Sequence, residues 1–289
     1  MKHQRIFFLL GMFLLAIAAS GAKVIKDKTY IDRSFQGIKT VKVVQSVLTV
    51  NIVGNTSDKT AVKCHVDLLE TDQADYTVEA RVVGSTLEIY ERTGSNRRGF
   101  SCRQAKGTIA ISIPRGVRVV SVTNVSGDAS VRGCHLDNLS IKTVSGDVRL
   151  LDTASELAVV SCVSGDVKIG SSKGNKITVN TVSGDVIAKG EKSGVDFSLV
   201  SFSSTSGDIA AYLGSSVRQT VFKSVSGDIH LYFKGDLMRN AYSLSGLSSD
   251  IVISGHAKAE RKLELQPENP LVDVRAAAVS GDIYVSNYR

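Results

Sequence analysis

Beyond residue 115, apolar positions recur in short alternating runs, and each run is broken by small polar residues of one kind. Seven breaks read Ser-Gly-Asp, with aspartates at Asp128, Asp147, Asp166, Asp185, Asp208, Asp228 and Asp282, and a degenerate eighth reads Ser248-Ser249-Asp250. In chain order the aspartates are 19, 19, 19, 23, 20, 22 and 32 residues apart. A near-fixed period of this size marks a stack of like structural units. Aligned on the motif, successive copies carry Ile141, Thr143, Val144, Val148 and Leu150, then Val160, Cys162, Val163, Val167 and Ile169, then Val179, Thr181, Val182, Val186 and Ala188. Strand side chains alternate between faces, so this set predicts a strand, a corner and a second strand. Thr143 and Val144 are adjacent yet both belong to the expected inward set, which places the corner there.

The glycines Gly127, Gly146, Gly165, Gly184, Gly207, Gly227 and Gly281 are expected to be structural turn residues that supply the positive φ of a corner. Ser and Asp bond backbone groups that the bend leaves unpaired. A unit of about twenty residues buries too little apolar surface to fold alone. The expectation is an all-β, single-domain parallel β-solenoid with turns of 19–23 residues, right-handed by analogy with parallel crossovers. Residues 23–115 have the same strand character without the tripeptide and are expected to form opening strands and a cap, continuous with the repeats of 116–289. A bare terminal turn would leave unpaired edges. The last interval holds an insertion from Gly255 to Pro270, in which the pattern allows a short helical turn at His256 to Gln266.

Residues 1–22 read as a secretory signal peptide: Lys2 and Arg5, an apolar run from Ile6 to Ala19, then small residues ending at Ala22. The run is short for a membrane span and no later segment is long and uncharged enough to be one. The mature chain is therefore expected in the periplasm, on the cell surface or secreted, with no integral membrane segment. The formal net charge of +7 falls to +5 once Lys2 and Arg5 leave. Basic residues are scattered and Trp is absent, which argues against nucleic acid as a partner. The strongest basic cluster, Arg97, Arg98, Arg103 and Lys106, reads as a solvated hairpin loop. Of the four cysteines, Cys64 and Cys102 are candidates to pair, while Cys134 and Cys162 occupy different repeat positions. Cys64-His65 and Cys134-His135 do not chelate one ion, because strand neighbours face opposite ways.

Stacked aspartates about 4.8 Å apart repel unless solvated, hydrogen-bonded or neutralised. Lys142, Arg149, Lys168 and His230 lie at suitable offsets. A calcium ladder along Asp128, Asp147, Asp166, Asp185, Asp208 and Asp228 is the alternative to turn chemistry, and the turn reading is preferred, with no metal or cofactor. Gly170-Ser171-Ser172-Lys173-Gly174 matches a nucleophile motif in the wrong structural setting. A polysaccharide-cleaving β-helix enzyme is the catalytic alternative. The near-identical surroundings of the aspartates and an aromatic content of 6% argue against it, and no catalytic residue is assigned.

Copies of Thr/Ser-Val-Ser-Gly-Asp-Val/Ile, preceded by Ile-Ser-Ile-Pro at Ile111 to Pro114 and Phe-x-Gly-Ile at Phe35 to Ile38, resemble the bacterial putative-adhesin family of β-strand-repeat proteins. The resemblance covers nearly all of the mature chain and carries no catalytic residues over. It implies an exported, non-enzymatic envelope or surface scaffold that binds an unidentified protein or glycan. A structural or stress-related envelope role without an adhesive ligand is the alternative. Function is expected where regularity breaks, at Gly255 to Pro270 and around Arg97.

Overall fold

The computed structural model describes residues 24–69, 76–93, 105–190 and 194–288. The chain opens with β1 (Val24–Phe35), β2 (Thr40–Val44), β3 (Thr49–Asn55), β4 (Thr60–Leu69), β5 (Tyr76–Val83), β6 (Thr86–Thr93) and β7 (Lys106–Pro114). Paired strands follow: β8 (Val119–Thr123) with β9 (Ala129–Arg132), β10 (His135–Thr143) with β11 (Val148–Leu151), and β12 (Ala154–Cys162) with β13 (Val167–Gly170). Next come β14 (Lys173–Asn180) with β15 (Val186–Ala188), β16 (Asp196–Ser204) with β17 (Ile209–Leu213), and β18 (Gln219–Ser224) with β19 (Ile229–Phe233). The chain ends in β20 (Ala241–Ile253), β21 (Ala257–Leu265), β22 (Asp273–Ala278) and β23 (Ile283–Asn287). Among the described residues the helical content is a 3-10 turn at Leu237–Arg239, and no helix is long and apolar enough to cross a membrane.

The fold is a β-solenoid. Even-numbered strands β8 to β18 pair in parallel to form one face, and odd-numbered strands β9 to β19 form a second. Repeat period becomes register: Ile141 lies beside Val160, Val160 beside Val179, and Val148 beside Val167. The inward columns Ile141, Val160, Val179, Phe202, Phe222 and Val148, Val167, Val186, Ile209, Ile229 are each at most 1% exposed. Burial of each such side chain stabilises by about 1.5–3 kcal/mol, and neighbouring turns share that surface.

Neither end follows chain order. β2 lies between β6 and β8, and β3 between β7 and β9, so the level that comes first in the sequence is covered by a later one. Antiparallel strands close this end, β5 on β6 and β4 on β7, with β1 on β4. At the other end β22 sits between β18 and β20, and β23 between β19 and the second half of β20. The chain skips a level and its last segment returns to fill it. That detour is the 32-residue interval, and in space Asp282 precedes Asp250.

The short helical turn expected at His256 to Gln266 is instead the strand β21, antiparallel to β20. Its apolar residues Ala257, Ala259, Leu263 and Leu265 fall on alternate positions, which is a strand period. Lys258, Glu260, Arg261, Lys262 and Glu264 are exposed along it, and a charged edge strand resists further pairing.

Candidate functional site

The repeated corner differs from expectation in two respects. Thr143, Cys162 and Thr181 are buried, but Val144, Val163 and Val182 face solvent. With Val125, Val225 and Val279 they form a ridge of valines 42–47% exposed. The inward residue three places before the glycine turns its polar atom to that glycine's N–H. Thr143 Oγ1 accepts from Gly146 at 3.2 Å, Cys162 Sγ from Gly165 at 3.0 Å, and Ser204 and Ser224 Oγ from Gly207 and Gly227 at 2.8 Å. The corner therefore follows two successive outward residues, not two inward ones.

None of the seven motif glycines has a positive φ. Glycine is needed there because backbones approach too closely for a side chain. A Cβ on Gly146, Gly165 or Gly184 would lie 2.5–2.6 Å from the carbonyl carbon of the glycine one turn below, and closer still to its oxygen. The hydrogen in that direction points at the carbonyl, a Cα–H···O contact.

The aspartates bond between turns, not within them. Oδ1 of Asp128 accepts from the N–H of Asp147, and the pattern continues through Asp166, Asp185, Asp208, Asp228, Asp282 and Asp250 at 2.8–3.1 Å. Serine hydroxyls donate across the same step, as Ser145 does to the Val125 carbonyl at 3.2 Å. Arg149 bridges Asp128 and Asp147 at 3.2 and 3.1 Å, Lys168 reaches Asp166 at 4.0 Å, and Lys258 reaches Asp250 at 3.1 Å. The Tyr284 hydroxyl donates to Asp282 at 3.0 Å, and that bond to a carboxylate raises the Tyr284 pKa. Asp185, Asp208 and Asp228 make no ion pair among the described residues. Lys142 lies outward on the other face, and His230 stacks on Tyr284 with ring centres 5.0 Å apart. The ladder thus spends one oxygen per rung on backbone. Among the described residues no group of three His, Cys, Asp or Glu side chains is placed to hold a metal ion.

Ser172, the central serine of the nucleophile-like pentapeptide, is buried, donates to the Gly170 carbonyl at 3.1 Å and accepts from the Thr153 N–H at 3.3 Å. Cys64, Cys134 and Cys162 are buried free thiols, and burial pushes Cys64 up to about 12 and Cys134 to about 11. Residues 1–22, Arg97, Arg98, Arg103 and Cys102, the expected partner of Cys64, lie outside the described residues.

Aromatic residues gather on the outer second face: Tyr212 stacks on Tyr232 at 4.2 Å, Tyr288 meets Tyr212 edge-on at 5.4 Å, and Lys189 lies over Tyr212 at 4.9 Å. With both ring faces of Tyr212 covered, this ladder is a stacking device.

The most site-like feature is a trough at the other corner of the coil, where the second face passes into the next turn. Three recesses of about 630, 130 and 480 Å³ follow one another along the axis, neighbours sharing lining residues. Asn55, Thr56, Pro114 and Arg115 wall the first two, and His135 the second and third. Strand starts place the side chains. His135, Ala154, Lys173 and Asp196 are successive register partners, flanked by Arg118, Asp137 and Glu156. Arg118 Nε donates to Asp137 Oδ2 at 2.9 Å, its NH2 group forms a second bond to Oδ1, and this forked contact raises the Arg118 pKa. Asp196 accepts from the Ser216 N–H at 2.7 Å and from its hydroxyl at 3.1 Å. The sequence singles out His135 only within a Cys-His dipeptide and Lys173 only within the serine pentapeptide, and neither for this corner; the others do not stand out.

Two solved structures are similar in fold. One is a putative lipid binding protein from Parabacteroides distasonis, 17% identical with a TM-score of 0.53, the match covering 90% of this chain and 96% of that one. The other is a putative adhesin from Bacteroides fragilis, 15% identical with a TM-score of 0.51, covering 90% and 97%. No curated protein matches the chain significantly. The model of the Toastrack DUF4097 family matches residues 40–286, and the chain belongs to that family.

Proposed function

We propose that the protein is an exported, non-enzymatic binding scaffold of the bacterial envelope or surface, adhesin-like in that it presents a rigid solenoid to a protein or glycan. The observation that carries this reading is the axial trough, a solvent-open recess edged by charged side chains on a coil whose Ser-Gly-Asp residues are otherwise committed to holding turns together. The name of the Bacteroides fragilis neighbour and the signal-like residues 1–22 agree with it. Fractionation of expressing cells, protease shaving of intact cells and N-terminal sequencing test it together. The expected result is a mature chain beginning at Lys23 that is cleaved from outside. A chain retained in the cytoplasm overturns the reading, and one exported but shielded from protease favours an internal envelope scaffold.

A further inference from the structure

We propose that the trough binds a neutral, linear polysaccharide laid along the solenoid axis, an inference that rests on the binding-scaffold reading above. Its walls carry Lys39, Arg115, Arg118 and Lys173 against Asp58, Asp137, Glu156 and Asp196. The two signs balance, so no net field selects an ion, and recognition falls to hydrogen bonds. Lys39, Arg115 and Lys173 make no ion pair among the described residues, which leaves donors open, while the Arg118–Asp137 fork and the Asp196–Ser216 pair are fixed in place. Sugar hydroxyls both donate and accept, and a row of alternating donors and acceptors suits them.

Shape narrows the occupant further. From Arg118 to Ser216 the trough crosses five turns, about 24 Å at about 4.8 Å per turn, and its step is close to the length of one pyranose ring. An open trough of this kind takes a chain, not a single sugar. An extended peptide would gain most by adding to a sheet edge, but here the strands bordering the trough are paired on both sides and both ends of the solenoid are capped. A lipid tail running the length of the trough would have to pass the Lys39, Asp58, Arg115, Arg118, Asp137, Glu156 and Lys173 side chains.

Gel retardation by soluble glucans, mannans and xylans, with polygalacturonate as the anionic comparison, tests the proposal on the purified protein. Retardation by at least one neutral polysaccharide is expected. The charge-swapped variant Glu156→Lys/Lys173→Glu keeps the net charge and alters two exposed side chains, and it should bind about tenfold more weakly, as for the loss of one charge-assisted hydrogen bond. Val144→Ser on the opposite corner should bind as wild type, and matching circular dichroism spectra confirm that all variants fold. No retardation by any neutral polysaccharide, retardation by polygalacturonate alone, or full binding by the swapped variant overturns the proposal. These results are separable from the scaffold reading, which stands or falls on surface exposure.

Discussion

Gly165→Ala separates two reasons why glycine recurs at this corner from turn to turn. If glycine served only backbone freedom, alanine at this ordinary φ would stabilise by about 0.4–1 kcal/mol through the unfolded state. The structure requires the opposite sign. The new Cβ would lie 2.6 Å from the Gly146 carbonyl carbon, where contact needs about 3.5–4.0 Å, so the turns must part by about 1 Å. The Ser164 N–H to Val144 carbonyl bond at 2.7 Å and the Asp166 N–H to Asp147 Oδ1 bond at 3.1 Å span the same step. Both would stretch past hydrogen-bonding range. Two bonds at about 1 kcal/mol each, with overpacking of about 1–3 kcal/mol, give a loss of about 3–5 kcal/mol. Urea unfolding followed by circular dichroism measures it. Gly116→Ala is the control, because nothing but the Lys39 amine, 4.0 Å away, meets its Cβ. A Gly165→Ala variant as stable as wild type would refute the stacked-carbonyl argument.

The outward ridge predicts that Val144→Ser changes stability by less than about 0.5 kcal/mol, whereas Ile141→Ser, fully buried, costs several kcal/mol in the same unfolding assay. Asp208→Asn retains the Oδ1 acceptor for the Asp228 N–H and removes a charge between two unneutralised neighbours, so it should be neutral or stabilising at low salt; Asp208→Ala orphans that N–H and should cost about 1–3 kcal/mol. With folded thiols at about 12 and about 11, Cys64 and Cys134 should stay unreactive to a thiol reagent at pH 8 and react once denatured. In the β5–β6 hairpin, the Tyr90 hydroxyl holds Glu79 low and the Arg81 guanidinium holds Glu88 low. Their contribution is full above the ordinary glutamate value of about 4.3 and lost as pH falls further, which should appear as lower amide protection factors in this hairpin, with each observed rate compared with the intrinsic rate at that pH; unchanged protection would contradict it.

Period and alternation made the solenoid legible, since Ile141, Val160 and Val179 recur at one offset and must share a column. They did not fix the direction of Val144: an apolar residue beside a corner reads as inward, yet the chain tolerates half-exposed valines where a bend presents two side chains in a row. The level order at each end was illegible because chain distance says nothing about a skipped rung. The trough was hidden for a related reason. His135, Ala154 and Lys173 share one offset from their aspartates but have unlike chemistry, so a search for repeated identity passes over them.

The returning segment β22–β23 also limits how this protein can change length. A solenoid with free ends grows or shrinks by adding or losing turns at its tips. Here each tip is a woven closure whose level belongs to a distant part of the chain, and deletion of the last residues would leave a vacant slot between β19 and β20. Whole turns can be duplicated or removed only in the sequential middle, from β8 to β19, where each hands its carboxylate and carbonyl to the next. The part of the trough from Arg118 to Ser216 lies along that same middle, so the number of turns sets its length.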